Sequence, residues 1–179
     1  MDQRSWTNFM TDWLNEAYRL CRPGAPICLF IDWRQLPSMT DALQRSGWIW
    51  RGIAVWDKAT CRPQKGRFRQ QAEFIVWGSK EAMPLQRNVG CLPGVFRYSN
   101  PASGGRIHVT EKSLPLMRDI VQICEPGGRI LDPFAGAGTT ILAAVREGYE
   151  TVGIEKTAAY YKLGSDRVKF ALAAGENAK

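Results

Sequence analysis

Apolar residues at Trp6, Phe9, Met10, Trp13, Leu14, Ala17, Tyr18 and Cys21 recur every three or four positions. That is the spacing of an amphipathic helix, with Ser5 placed as its N-cap and Arg22-Pro23-Gly24 as its stop. The period then vanishes. APICLFID, residues 25–32, is a continuous apolar run of strand length, the pattern of a buried parallel strand rather than of a strand with one wet face. RQLPSMTDALQRSG predicts a second helix ending at Gly47, and WIWRGIAVWDK and AEFIVWG predict strands rich in aromatic and β-branched residues. Residues 79–107 carry prolines and glycines without a period and predict a loop-like region. Regular alternation resumes after it. EKSLPLMRDIVQIC predicts a helix, GGRILD a strand, TTILAAVREG a helix, YETVGIE a strand and AAYYKLGSDRVKFALAA a closing helix. Helices alternating with apolar strands predict an α/β fold with a parallel sheet covered on both faces.

The 179 residues suit one such domain with a sizeable core. A hydrophobic fraction of 45% and a charged fraction of 23% exclude wholesale disorder and fibrous classes. The net charge of +7 and pI of about 9.4 point to a polyanionic partner. Cys21, Cys28, Cys61, Cys91 and Cys124 are odd in number and scattered, with no C-x-x-C pair. This speaks against a disulfide framework or a zinc site and for a reducing compartment. No leader pattern and no long apolar run is present, so a cytoplasmic protein without a membrane span is expected.

The chemistry concentrates in LDPFAGAGTT, residues 131–140, where a predicted strand turns into a helix. In parallel sheets ligands bind at such carboxyl ends. Gly136 and Gly138 permit backbone conformations closed to other residues and a close ligand approach, and Ala135 and Ala137 keep the loop tight. The helix that starts near Thr139 turns its free N–H groups toward the loop. A phosphate-binding P-loop needs a lysine before Thr139 or Thr140, and none is there; a dinucleotide fingerprint needs a third glycine where Ile141 stands. An adenosine cofactor without a pyrophosphate remains. Glu155, ending the next strand, can reach ribose hydroxyls, and Asp132 can meet a cationic group. That combination suits S-adenosylmethionine; the alternative is that both acids are merely polar residues at strand ends.

These residues resemble the DNA methyltransferases that modify exocyclic amino groups, N6 of adenine or N4 of cytosine, in their β-class motif order. LDPFAGAGTT resembles that family's motif I, VGIE at 152–155 its motif II, and HVTEKSLPLM at 108–117 the preceding motif, with Val109 and Ser113 in place of prolines. EAYRLCRPGAPICLFID resembles the segment just downstream of the catalytic motif, and the phage and prophage modification methylases are the nearest likeness. The resemblance covers nearly the whole chain. It implies a Rossmann-like, circularly permuted S-adenosylmethionine-dependent fold, with the catalytic half at 1–78, a loop or target-recognition region at 79–106 and the cofactor half at 107–179. It also implies that Asp132, Phe134, Ala135, Gly136, Gly138, Thr139 and Glu155, with His108, Thr110 and Lys112, hold the cofactor.

One departure is specific. The family transfers the methyl group with Asp/Asn/Ser-Pro-Pro-aromatic, and no Pro-Pro pair occurs in this sequence. SNPAS at 99–103 lacks the second proline and the ring and reads as a loop. In the family the motif lies upstream of the first helix here, so the expectation is an N-terminally truncated arrangement with a gap in its sheet, and no catalytic residue is named. The implied activity is site-specific methylation of double-stranded DNA, N6-adenine favoured over N4-cytosine, as in restriction-modification. The alternatives are a non-catalytic fragment or subunit that works as a homodimer or with a complementing chain, and a methyltransferase for RNA or a small molecule.

Between two predicted strands, DKATCRPQKGRFRQQAE gathers Lys58, Arg62, Lys65, Arg67 and Arg69 around Pro63, Gly66 and Phe68. It reads as a flexible loop laid on DNA phosphates, against the plainer reading of a solvated charged loop. EKTAAYYKLGSDRVK is sign-balanced and reads as a helix face. Trp6, Trp13, Trp48, Trp50, Trp56 and Trp77 are expected in the core, and Trp33, after Asp32 at a strand's carboxyl end, is the tryptophan expected to line the site.

Overall fold

The computed structural model describes residues 2–61, 63, 65–99 and 112–173. They pack as two compact units, the first formed by the described residues of 1–87 and 93–97, the second by those of 88–92 and 98–179.

The first unit runs α1 (Gln3–Leu20), β1 (Pro26–Ile31), α2 (Leu36–Arg45), β2 (Ile49–Asp57), β3 (Ala72–Ser79) and β4 (Val95–Arg97). The apolar stripe of α1 supplies Met10 and Leu14, and α2 supplies Met39, Ala42 and Leu43. All five are buried in one cluster with Leu29, Trp48 and Val76, and each large side chain contributes roughly 1.5–3 kcal/mol. Trp48 anchors the cluster with its indole N–H donating to the Leu14 carbonyl at 3.0 Å. The strand order is β1-β3-β2-β4. At Gly78 a Cβ would lie 2.6 Å from the Ile49 carbonyl oxygen, so only glycine lets β3 approach β2 there.

The second unit runs α3 (Leu114–Val121), β5 (Arg129–Asp132), α4 (Thr139–Arg146), β6 (Glu150–Gly153) and α5 (Ala158–Ala173). β5 and β6 pair in parallel from Arg129↔Glu150 to Asp132↔Gly153. Leu116, Met117, Ile120 and Val121 of α3 and Leu142, Ala143 and Ala144 of α4 form its apolar core.

Every predicted element is present, with four differences. Asp2 caps α1 in place of Ser5: its carboxylate accepts the Ser5 N–H at 2.9 Å. β1 lies at a sheet edge and pairs antiparallel with β3, not parallel with a neighbour. The sheet of the first unit is therefore mixed, because β3 inserts antiparallel between β1 and β2 while β4 joins β2 in parallel. A continuous apolar run reports burial of both faces and says nothing about neighbour direction. Lastly, the loop-like region contains the short strand β4, and Trp50 is 41% exposed instead of buried.

Candidate functional site

In the second unit the glycine loop hangs between the carboxyl ends of two adjacent parallel strands. Asp132 closes β5 and turns its carboxylate Oδ1 onto the Phe134 N–H at 3.0 Å. The ladder continues one step beyond the strands, with Ile154 N–H donating to the Asp132 carbonyl and Ala135 N–H to the Ile154 carbonyl, both at 2.9 Å. Glu155 then reaches back across the loop, Oε2 accepting the Gly136 N–H at 2.9 Å and Oε1 the Thr157 N–H at 2.7 Å. Asp132 Oδ2 has no partner among the described residues.

The two glycines are needed for different reasons. Gly138 adopts φ +77°, and a Cβ there would lie 3.0 Å from Gly164 Cα. Gly136 adopts φ +53°, with open space where a Cβ would project. Gly138 is also the N-cap of α4 and supplies no side-chain cap, so the first N–H groups of α4 at Thr139 and beyond have no side-chain oxygen from the cap residue. Phe134 is exposed beside the loop, and Ala135 and Gly136 are half-buried.

A cleft of about 250 Å³ opens at this point, bounded by Ala135, Gly136, Gly153 and Glu155 on the strand side and by Tyr161, Ser165 and Lys169 of α5 on the other. The α5 wall was missed in the sequence, where this segment reads only as a helix face. Gly164 held the signal. A glycine inside a helix costs about 1 kcal/mol and calls for a packing reason; here a Cβ at Gly164 would come within 3.2 Å of the Ala137 backbone. Arg167 fastens the same contact, its guanidinium donating to the Ala137 carbonyl at 2.8 Å.

The structure thus brings Asp132, Phe134, Ala135, Gly136, Gly138, Thr139 and Glu155 together. Lys112 is half-buried just before α3. His108 and Thr110 lie outside the described residues.

The basic segment belongs to the first unit and links β2 to β3. Asp57 fixes its base: the Asp57 carboxylate accepts the Ala59 N–H and the Gln71 side-chain amide, both at 2.9 Å, and Arg97 lies 3.5 Å away. Lys58 is turned inward, paired with Glu73 at 3.0 Å and stacked 5.3 Å from the Trp56 ring centre. Lys65, Arg67 and Arg69 are exposed, and Arg62 lies outside the described residues. Trp33 is exposed at the carboxyl end of β1 with the Arg34 guanidinium 5.7 Å from its ring.

Comparison with known sequences decides the family. The pattern of the N6/N4 DNA methylases matches residues 2–89 and 88–166. The chain belongs to this DNA methylase family. The type II methyltransferase M.XycI of Xanthomonas campestris pv. cyanopsidis is 30% identical over 168 residues, covering 83% of this chain and 54% of M.XycI. Among solved structures, the M1.HpyAVI–SAM complex superposes with a TM-score of 0.77 at 27% identity, covering 90% of this chain and 83% of that one. The cytosine-N4-specific PvuII DNA methyltransferase shares the fold, with a TM-score of 0.78 at 16% identity over 93% of this chain and 72% of its own. The DNA methylase chain spans between 54% and 69% of the length of the curated relatives it matches.

Proposed function

We propose that this DNA methylase chain serves site-specific methylation of double-stranded DNA at an exocyclic amino group, with S-adenosylmethionine as the methyl donor. N6 of adenine is favoured over N4 of cytosine. The observation that carries the reading is the glycine loop pinned between Asp132 and Glu155 at the ends of two parallel strands, within a chain the family pattern matches from residue 2 to 166.

The residues present fit the cofactor. An open oxygen on Asp132 suits a cationic amino-acid end, the carboxylate of Glu155 just beyond β6 suits ribose hydroxyls, and the open space at Gly136 lets the backbone approach a ligand without a side chain between. When bound, S-adenosylmethionine supplies an electrophilic methyl carbon on a sulfonium. What the chain contributes is binding and orientation, which can account for several powers of ten in rate. In this reading the second unit is the cofactor half and the first unit carries the target-binding loop, with Lys65, Arg67 and Arg69, and Arg62 of the same segment, on phosphates, while Lys58 braces the base of the loop through Glu73 and Trp56.

A second reading is favoured by the sheets themselves. β1 and β5 each present an unpaired edge among the described residues, and Leu131 and Val152, opposite one another in register, are 36% and 45% exposed. A complementing chain that pairs with these edges and brings a Pro-Pro-aromatic motif would make this protein a subunit.

The test is methyl transfer from labelled S-adenosylmethionine to unmethylated DNA by the purified chain, with the product nucleoside identified by mass. N6-methyladenine supports the first reading, and N4-methylcytosine corrects the target base. Cofactor binding without transfer, restored by a methylase fragment bearing the motif, supports the second. Absence of cofactor binding overturns both.

A further inference from the structure

Phe68 is 100% exposed, the most complete exposure of any aromatic ring among the described residues. An aromatic ring left wholly in water forgoes about 2 kcal/mol or more of burial, which makes its position informative. It sits between Arg67 and Arg69, two residues after Gly66, which adopts φ +71°. The loop that carries it is anchored at its base by Asp57, as described above.

The register shows where that loop emerges. Ile31 of β1 and Val55 of β2 both face Phe74 of β3, so β1 and β2 run the same way and end on the same side of the sheet. β4 ends there too, with Arg97 opposite Asp57. One end of the sheet therefore gathers Trp33 with Arg34 from β1, the Phe68 loop from β2, and Arg97 from β4. Trp33 is the second exposed ring at this end, at 55%. Exposed rings interleaved with guanidinium groups form a surface for unstacked bases along a phosphate backbone, since arginines hold phosphates and any base stacks on a ring.

We propose that Phe68 is a DNA wedge: the arginines on either side seat the loop on the backbone, and the ring inserts at a base step and unstacks it. The inference rests on the reading of the chain as a DNA-acting protein and adds the residue that distorts the duplex. Apolar side chains that insert this way favour DNA whose stacking is already broken, because part of the unstacking work has been done.

The experiment measures affinity of the full chain for an intact duplex and for the same duplex with one abasic position, across a salt series. The wild-type chain is expected to prefer the abasic duplex by about tenfold or more. Phe68→Ala should lower that preference to near unity while keeping the salt dependence, and Phe68→Trp should retain it. Arg67→Ala with Arg69→Ala should weaken binding to both duplexes and flatten the salt dependence, leaving the preference in place. Because Phe68 has no packing role, its variants should melt with the wild type. A wild-type chain that binds DNA with steep salt dependence but no abasic preference overturns the wedge and leaves the DNA reading standing, as does a Phe68→Ala chain that keeps the full preference. A wild-type chain with no salt-dependent DNA binding overturns the DNA reading itself.

Discussion

The glycine loop is where single residues matter most, and Gly136 and Gly138 separate two requirements that look identical in the sequence. Both sit at positive φ, which costs a residue with a Cβ roughly 1–2 kcal/mol. Only Gly138 also faces the backbone of a neighbouring helix. Gly138→Ala is expected to destabilise the second unit by about 2–4 kcal/mol and abolish cofactor binding, because strain adds to a clash that backbone cannot relieve. Gly136→Ala should cost about 1 kcal/mol and keep the fold, with weakened cofactor binding as its main effect. Thermal melts and calorimetric titration with S-adenosylmethionine distinguish them. Cysteine reactivity offers a second check. Burial pushes the Cys28 thiol up to about 12, so near pH 8 it remains protonated and should resist iodoacetamide, whereas exposed Cys91 should alkylate readily. Mass mapping of the native chain reads this directly, and raising the pH from 8 to 9 should leave Cys28 unmodified.

At the scale of elements, the ends of helices and strands decide what is held rigid. α1 ends against Lys80, whose ammonium donates to the Tyr18 and Cys21 carbonyls at 2.8 and 2.9 Å and lies 4.7 Å from the Tyr18 ring centre. A cation here satisfies helix carbonyls that have no partner within the helix and opposes the negative end of its dipole. Lys80→Met should destabilise the first unit by about 1–3 kcal/mol in urea unfolding, with Lys80→Arg intermediate. Glu155 does the corresponding work in the second unit by joining β6 to the glycine loop. Glu155→Ala leaves the Gly136 and Thr157 N–H groups without this acceptor and should weaken S-adenosylmethionine binding by about tenfold to a hundredfold in titration, from the loss of charged hydrogen bonds worth about 1.5–3 kcal/mol each.

For the whole molecule, the net charge of +7 becomes meaningful only through its placement. Lys65, Arg67 and Arg69 share one loop and extend into water, whereas Lys58 is spent on Glu73 and Trp56. Replacing the three exposed cations by alanine should reduce the slope of log affinity against log salt by about 3, while Lys58→Ala should change it little and act on stability instead. Filter binding of duplex DNA across a salt series checks both. No helix among the described residues is long and apolar enough to cross a membrane. The edges of β1 and β5 that have no strand partner among the described residues are the other feature at this scale, because such edges carry backbone donors and acceptors that favour pairing with another strand.

The sequence by itself determined the order of every element but β4, the apolar stripe of α1 and the glycine loop, because each depends on local period or on a residue type with no substitute. The position of Glu155 was equally legible, since a strand's end fixes where its next side chain emerges. Only the tertiary structure decided the rest. The antiparallel insertion of β3 is a long-range pairing that no local pattern encodes, as the apolar run of β1 reads the same beside either kind of neighbour. Likewise, the packing of Gly164 against Ala137 and Gly138, the turning of Lys58 inward and the full exposure of Phe68 depend on what other segments bring near. Side-chain type says what a residue can do; which neighbours occupy its surroundings decides which of those things it does.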